Sequence, residues 1–181
     1  MMITSWSRKQ SQMKAAGKMN IASLTQYAMH KDGTYVSLEM SKDSKDLLDN
    51  FVEMSLGLTE RVDPSTYHIT IIYSRTPVPS AEFLEPEIDV SAIVTGYEVF
   101  PTKNAGKCLV MRLACPYATE LNAQLTKEGA TSDYAEYKPH VTLAYDTKQD
   151  LDLQFPIPQF QLKFDKLNVA PLDTEYTPEN K

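Results

Sequence analysis

Positive charge is the first thing this chain is short of. Its 181 residues carry 18 Lys and Arg against 24 Asp and Glu, a net charge of −6. Long DNA or RNA is gripped by many phosphate-neutralising cations, so an acidic body argues against that class of partner. A small anionic ligand held by neutral donors stays compatible. Cysteine is nearly absent as well. Cys108 and Cys115 are seven apart, an odd separation that puts them on opposite faces of one regular strand, and the spacing is wrong for a zinc knuckle. They read as buried small hydrophobes in a reducing compartment. No stretch approaches the roughly 20 apolar residues of a membrane span. Residues 1–18, MMITSWSRKQSQMKAAGK, hold four cations and no acid but no apolar h-region, so they are not expected to be a secretory signal. They read as a flexible basic leader, with Met13 and Met19 as alternative starts.

Histidine is scarce too, with three in the chain, and two of the three stand in one repeated frame. His68-Ile69-Thr70-Ile71-Ile72-Tyr73-Ser74-Arg75 and His140-Val141-Thr142-Leu143-Ala144-Tyr145-Asp146-Thr147 lie 72 positions apart. Each begins His, β-branched residue, Thr, aliphatic, and each has Tyr in sixth place. Their β-branched and aromatic content predicts strands. Residues two apart on a strand share a face, so each His points the same way as its Thr. Should the two strands lie side by side, two imidazoles and two hydroxyls face one cleft. His30 has no such partner and reads as a surface histidine before the Lys31-Asp32-Gly33 turn.

The repeat extends upstream. Gly33–Met40 alternates, with Val36, Leu38 and Met40 on one face of a half-buried strand. Ser41 offers an N-cap, and Leu47, Leu48, Phe51, Val52 and Leu56 recur at helical spacing until Gly57 stops the helix. In the second half, Gly106–Leu113 reads as a strand with Leu109, Met111 and Leu113 on the core face. A helix opens at Pro116 and Thr119, runs to about Lys127 and ends at Gly129. From glycine to histidine is 35 residues in the first half and 34 in the second. The pattern is an internal duplication of a strand, helix and histidine strand.

Ala92–Phe100 reads as a strand entering a hairpin at Lys103-Asn104-Ala105-Gly106, and Gln159–Leu167 as a late strand after Pro156 and Pro158. Residues 76–91, with three prolines and no helical period, read as loop. The tail after Pro171 reads as polar and loose. The expected fold class is α+β, two pseudo-symmetric strand–helix–strand lobes forming a central cleft. Residues 19–175 form a single bilobal domain between the leader and a tail of residues 176–181.

The paired motifs resemble those of the two-histidine (2H) phosphoesterase superfamily, which is defined by two His-x-Thr/Ser motifs on the central strands of two pseudo-symmetric lobes. The resemblance covers about Gly33 to Asp173. It implies His68, Thr70, His140 and Thr142 as the catalytic set. One imidazole takes a proton from the nucleophile while the other gives one to the leaving oxygen. The threonines hold the non-bridging phosphate oxygens. That scheme asks for no metal and no cofactor. A single His-x-Thr in a strand is more often structural; the matched pair is what favours chemistry.

Within the superfamily the chain is most similar to the phage anti-CBASS nucleases. The residues that carry this are the Gly33–Leu38 opening strand, Tyr137-Lys138-Pro139-His140-Val141-Thr142-Leu143, and Phe164–Leu167 with Pro171–Asp173. The likeness implies a nuclease that opens cyclic di- and trinucleotide immune signals at a 3′-5′ bond, in the cytoplasm of an infected bacterium. The ribose 2′-hydroxyl is the expected nucleophile. A phosphodiesterase for 2′-5′ oligoadenylates or RNA 2′,3′-cyclic phosphate ends is the alternative; a nucleotide sponge and a purely architectural duplication are the non-enzymatic ones. Substrate-binding candidates are Tyr35, on the strand face opposite Val36, and Tyr97 and Phe100 as base-stacking residues. Arg75 and Lys138 flank the motifs. Neither membrane nor long nucleic acid is an expected partner, and the oligomeric state is open.

Overall fold

The computed structural model of the chain describes residues 33–101, 107–145, 147 and 153–173. His30, the leader, the tail from 176 and the turn at 103–106 fall outside the described residues. Among the described residues stand six strands and two helices: β1 (Thr34–Met40), α1 (Lys42–Leu56), β2 (His68–Ser74), β3 (Glu87–Pro101), β4 (Lys107–Ala114), α2 (Pro116–Lys127), β5 (His140–Ala144) and β6 (Gln161–Pro171). All pairings are antiparallel, in one sheet of order β2-β1-β6-β3-β4-β5. The expected α+β class holds, and both strand–helix–histidine-strand units are present.

Local chemistry explains the helices. Ser41 caps α1 by accepting from the Ser44 N–H, and Gly57 ends it in the left-handed region at φ 60°. Ser44, Leu48, Val52 and Leu56 are its buried stripe, four apart each time, while Leu47 is 44% exposed. Pro116 opens α2, whose Ala118, Leu121 and Leu125 are buried. Both helices pack on one face of the sheet, where Leu38, Ile69, Ile71, Met111, Val141, Leu143 and Phe164 are sealed from water. A row of this kind stabilises by roughly 1.5–3 kcal/mol per fully buried side chain.

Two expected boundaries move. Residues 76–91 contain a 3-10 turn at Pro79–Phe83, and β3 starts at Glu87. Glu87 and Val90 pair with Lys166 and Phe164 of β6, so a neighbour's edge extends the strand back towards Pro86. β6 runs four residues past Leu167 because β1 pairs with it along its whole length, up to Thr34 opposite Pro171. The chain after Pro171 is not loose at once: Leu172 is buried and its N–H donates to the Gly33 carbonyl.

The histidine strands β2 and β5 are not hydrogen-bonded neighbours. They are the two end strands of the order, and the sheet coils until those ends approach one another. Groups from opposite halves tie the free edges. Asn122 of α2 donates to the Ile71 carbonyl (2.8 Å), Tyr137 donates its hydroxyl to the Thr70 carbonyl (2.9 Å), and the Val62 N–H donates to the Leu143 carbonyl (2.9 Å). Edge carbonyls that would otherwise invite a foreign strand are thereby satisfied.

Candidate active site

The face of the sheet away from the helices carries the candidate residues. Cross-strand partners share a face. On the first half Glu39 lies opposite His68, Ser37 opposite Thr70 and Tyr35 opposite Tyr73. On the second half Arg112 lies opposite His140 and Val110 opposite Thr142. Each histidine strand carries a bulge at the same place in the repeat. Ile71 and Ile72 are both buried, and so are Leu143 and Ala144. One extra residue reverses the alternation. Tyr73, five positions after His68, therefore returns to the histidine's face, where a strict period of two would have sunk it in the core.

Backbone carbonyls set both imidazoles. Nδ1 of His68 lies 2.6 Å from the Thr66 carbonyl oxygen, and Nδ1 of His140 lies 2.6 Å from that of Lys138. A carbonyl only accepts, so Nδ1 carries a proton and Nε2 is the atom left to gain or lose one. In both halves the carbonyl belongs to the residue two before the histidine. Aromatic rings then brace the imidazoles: Tyr35 edge-on to His68 with centroids 6.4 Å apart, Phe100 edge-on to His140 at 5.0 Å. Each motif threonine is also bonded from the neighbouring strand. The Tyr35 hydroxyl is 3.3 Å from Oγ1 of Thr70, and Cys108 hydrogen-bonds Thr142.

The halves differ in charge. Glu39, opposite His68, accepts from the Ser37 hydroxyl at 3.0 Å. Around His140 stand Arg112 and Glu98, and Glu98 pairs with both Arg112 and Lys138. The Lys138 ammonium and Arg112 guanidinium hold the Glu98 carboxyl below the usual carboxylate range. Burial pushes the His140 pKa down from its ordinary 6.5, and the charges of Arg112 and His68 act in the same direction. Burial pushes the Cys108 thiol up. One consequence can be measured. A base works unprotonated, so if His140 is the base, the acid limb of kcat/KM against pH will have its midpoint below 6.5. A pH series from about 4.5 to 8 checks it, and a midpoint above 6.5 contradicts the placement. The stability tied to a neutral buried His140 has the same sign: it is complete above about 6.5 and declines as the pH falls from there towards the lower folded-state value.

His68, Thr70, His140 and Thr142 thus share one face of the coiled sheet, and Tyr35 and Phe100 join them. Tyr97 does not. It sits three residues before Phe100, hence on the other face, edge-on to Phe155 at 5.3 Å with its hydroxyl on the Pro156 carbonyl. Arg75 is engaged with Asp133 at 2.9 Å, and Lys138 with Glu98. Sequence reasoning missed Tyr73, Arg112 and Glu98. The signal for Tyr73 was its matched place in the repeat together with the two adjacent aliphatics before it; for Arg112 and Glu98 there was none short of the register. A cavity of about 410 Å³ opens beside Glu39, lined by Pro86, Glu87, Lys166, Leu167 and Asn168 as well. Among the described residues no three His, Cys, Asp or Glu converge as metal ligands, and no helix is long and apolar enough to cross a membrane.

Comparison with known proteins bears on the fold and on the family. Among solved structures the fold is similar to TT0787 of Thermus thermophilus (TM-score 0.59, 13% identity, 81% of this chain and 90% of that one). It is similar too to E. coli LigT solved with 3′-AMP (TM-score 0.51, 12% identity, 75% and 85%). At those identities the likeness concerns the fold, which is that of the two-histidine phosphoesterases. In sequence the chain is 32% identical over 120 residues to the anti-CBASS protein Acb1 of Vibrio phage KVP40, covering 65% of this chain and 76% of that protein. With Acb1 of Enterobacteria phage T4 it shares 30% over 129 residues, 69% of this chain and 82% of that one. The family model described as anti-CBASS protein Acb1 matches residues 32–179. A family model that spans most of the chain, with these relatives beside it, places the chain in the anti-CBASS Acb1 family.

Proposed function

We propose that this chain opens cyclic di- and trinucleotide immune signals at a 3′-5′ phosphodiester bond, using the two histidines as base and acid and a ribose 2′-hydroxyl as nucleophile. One observation carries the reading: two imidazoles, one from each half, stand on the same face with Nδ1 fixed by a carbonyl and Nε2 left to exchange a proton. Membership of the anti-CBASS Acb1 family supports this choice of substrate class.

The charge difference between the halves suggests the roles. Arg112 lies opposite His140, and a cation there favours a neutral imidazole, which is what a base must be. His140 Nε2 takes the proton of the 2′-hydroxyl as its oxygen attacks phosphorus. His68 Nε2–H gives a proton to the departing 5′-oxygen as the P–O5′ bond breaks. The 2′,3′-cyclic phosphate that forms is then opened by water with the roles reversed, breaking the P–O2′ bond and leaving a linear 3′-phosphate. Thr70, Thr142 and the Tyr35 hydroxyl sit where donors to the non-bridging oxygens are needed, and donors of this kind contribute roughly 10²–10³ in rate. Phe100 offers a ring to a base. The cavity beside Glu39 gives room to a nucleotide unit one strand away from the scissile phosphate.

The test is product analysis in EDTA on a panel of 3′-5′ cyclic di- and trinucleotides, each paired with its analogue lacking the attacking 2′-hydroxyl. Linear 3′-phosphorylated products are expected from the ribo forms and none from the deoxy forms, a loss of at least about 10³-fold if the internal nucleophile is the only route. Cleavage of a deoxy analogue would overturn the internal nucleophile. Turnover confined to 2′-5′ oligoadenylates or 2′,3′-cyclic phosphate ends would overturn the substrate class and keep the chemistry.

A further inference from the structure

We propose that Glu98 is the positioning residue for His140, holding in place both the carbonyl that fixes its tautomer and the cation that faces it. Glu98 lies on β3, two strands from His140, and touches no reacting atom. Its two oxygens are divided. Oε1 takes the Lys138 ammonium at 2.9 Å, and Oε2 takes Nη1 of Arg112. Lys138 is the residue whose carbonyl accepts from His140 Nδ1, and Arg112 is the cross-strand partner of His140. A single carboxylate therefore ties β3, β4 and the chain leading into β5 around one imidazole. The three side chains are between 25% and 34% exposed, so solvent screens the pairs in part and their value lies in position more than in strength.

The first half shows what a local solution looks like. There the carbonyl that fixes His68 belongs to Thr66, which ends a 3-10 turn at Pro64–Thr66. Asp63 caps that turn: its side chain accepts from the Ser65 N–H at 2.8 Å and its carbonyl from the Thr66 hydroxyl at 2.7 Å. These four consecutive residues form the turn, and Lys45 of α1 adds one bond from outside it, to the Ser65 carbonyl at 2.7 Å. No such turn precedes His140: residues 135–136 are bend and 137–139 irregular. The segment is held from a distance instead, by Lys138 on Glu98, by the Tyr137 hydroxyl on β2 and by the Pro139 carbonyl accepting from the Leu113 N–H. Glu98 also balances charge. The groups about His140 that carry or can carry charge are Arg112 on β4, Glu98 on β3, His68 on β2 and Lys138 just before it, with Cys108 of β4 on Thr142 and Tyr137 alongside. Burial, Arg112 and His68 push a proton off His140; the Lys138 carbonyl draws it back through its hydrogen bond, and Glu98 does so through its charge.

Removing the charge of Glu98 while keeping its shape, in Glu98→Gln, leaves Arg112 uncompensated beside His140. Two readouts follow, one of which needs no substrate. With three histidines in the chain, imidazole resonances can be followed singly by NMR against pH. The titration of His140 is expected to move to lower pH in Glu98→Gln by about half a unit or more, with His68 unmoved and with Glu98→Asp closer to the parent. A merely structural role would shift both histidines together or neither. In kinetics, which rest on the function proposed above, kcat is expected to fall about tenfold with KM changed less than about twofold, and the acid limb to move with the NMR titration. An unmoved His140 titration in a folded Glu98→Gln protein overturns the proposal whatever the activity. If the parent protein turns over no cyclic nucleotide, the functional reading fails and the NMR comparison still decides the role of Glu98.

Discussion

A His140→Ala chain will fold and will turn over cyclic oligonucleotides about 10²–10⁴-fold more slowly than the parent, and His68→Ala will do the same. Under the proposed mechanism both losses belong in kcat, because the imidazoles would act on protons in flight rather than on the resting substrate. The double variant should be little worse than either single one, since half of an acid–base pair is of small use alone. What each substitution removes from the fold is limited: one Nδ1–H bond to a carbonyl and one edge contact with an aromatic ring. That is worth about 1 kcal/mol, so the melting temperature should drop by roughly 2–4 °C. Circular dichroism on the same preparations separates the two causes. Large loss of stability with unchanged turnover would make the duplication architectural.

Gly33→Ala will have the opposite profile, a large cost in stability with chemistry untouched in whatever remains folded. Gly33 holds φ at +128°, which side chains seldom adopt, and a Cβ there would stand 2.3 Å from the Ser74 carbonyl oxygen and 3.0 Å from Leu172. The obstacle is backbone on β2, which cannot swing aside. Strain of about 1–3 kcal/mol at the dihedral adds to about 1–3 kcal/mol for the forced contact. A total of about 2–6 kcal/mol is a large share of the roughly 5–15 kcal/mol that typically holds a domain. Thermal melting should fall by on the order of 10 °C. Gly57→Ala is the control. It too has positive φ, +60°, but nothing lies within 4 Å of its added Cβ, so only the dihedral cost of roughly 1–2 kcal/mol applies. Equal losses at the two positions would contradict the role given to the Ser74 contact.

The sequence discloses what is local. The α1 cap at Ser41 and stop at Gly57, the Pro116 start of α2 and the alternation of β1 all lie within a few residues of their cause. The two His-x-Thr segments are legible because their match is linear. What depends on pairing between distant segments is not. The position of β2 and β5 at the ends of the sheet follows from β6 wedging between β1 and β3, and nothing near the histidines announces it. The bulges conceal Tyr73. Of Tyr97 and Phe100, three apart on β3, only one could reach the histidines' face, and the register chooses Phe100. Glu98 is invisible for the same reason: its partners are 14 and 40 residues away.

Because β2 and β5 are the ends of the sheet and not neighbours in it, no hydrogen-bond ladder rules the gap between the two histidines. That gap is the closing error of a strip bent round on itself, summed over five inter-strand joints that each rotate by roughly 20–25°. A degree or two gained at every joint would open or narrow the jaws without any residue in them changing. The ties from Asn122 and Val62 to the opposite edge then act as spacers on a caliper. Substitutions deep under β6, at Phe164 for instance, lie outside the pair of histidine strands and yet have a lever on the width between them.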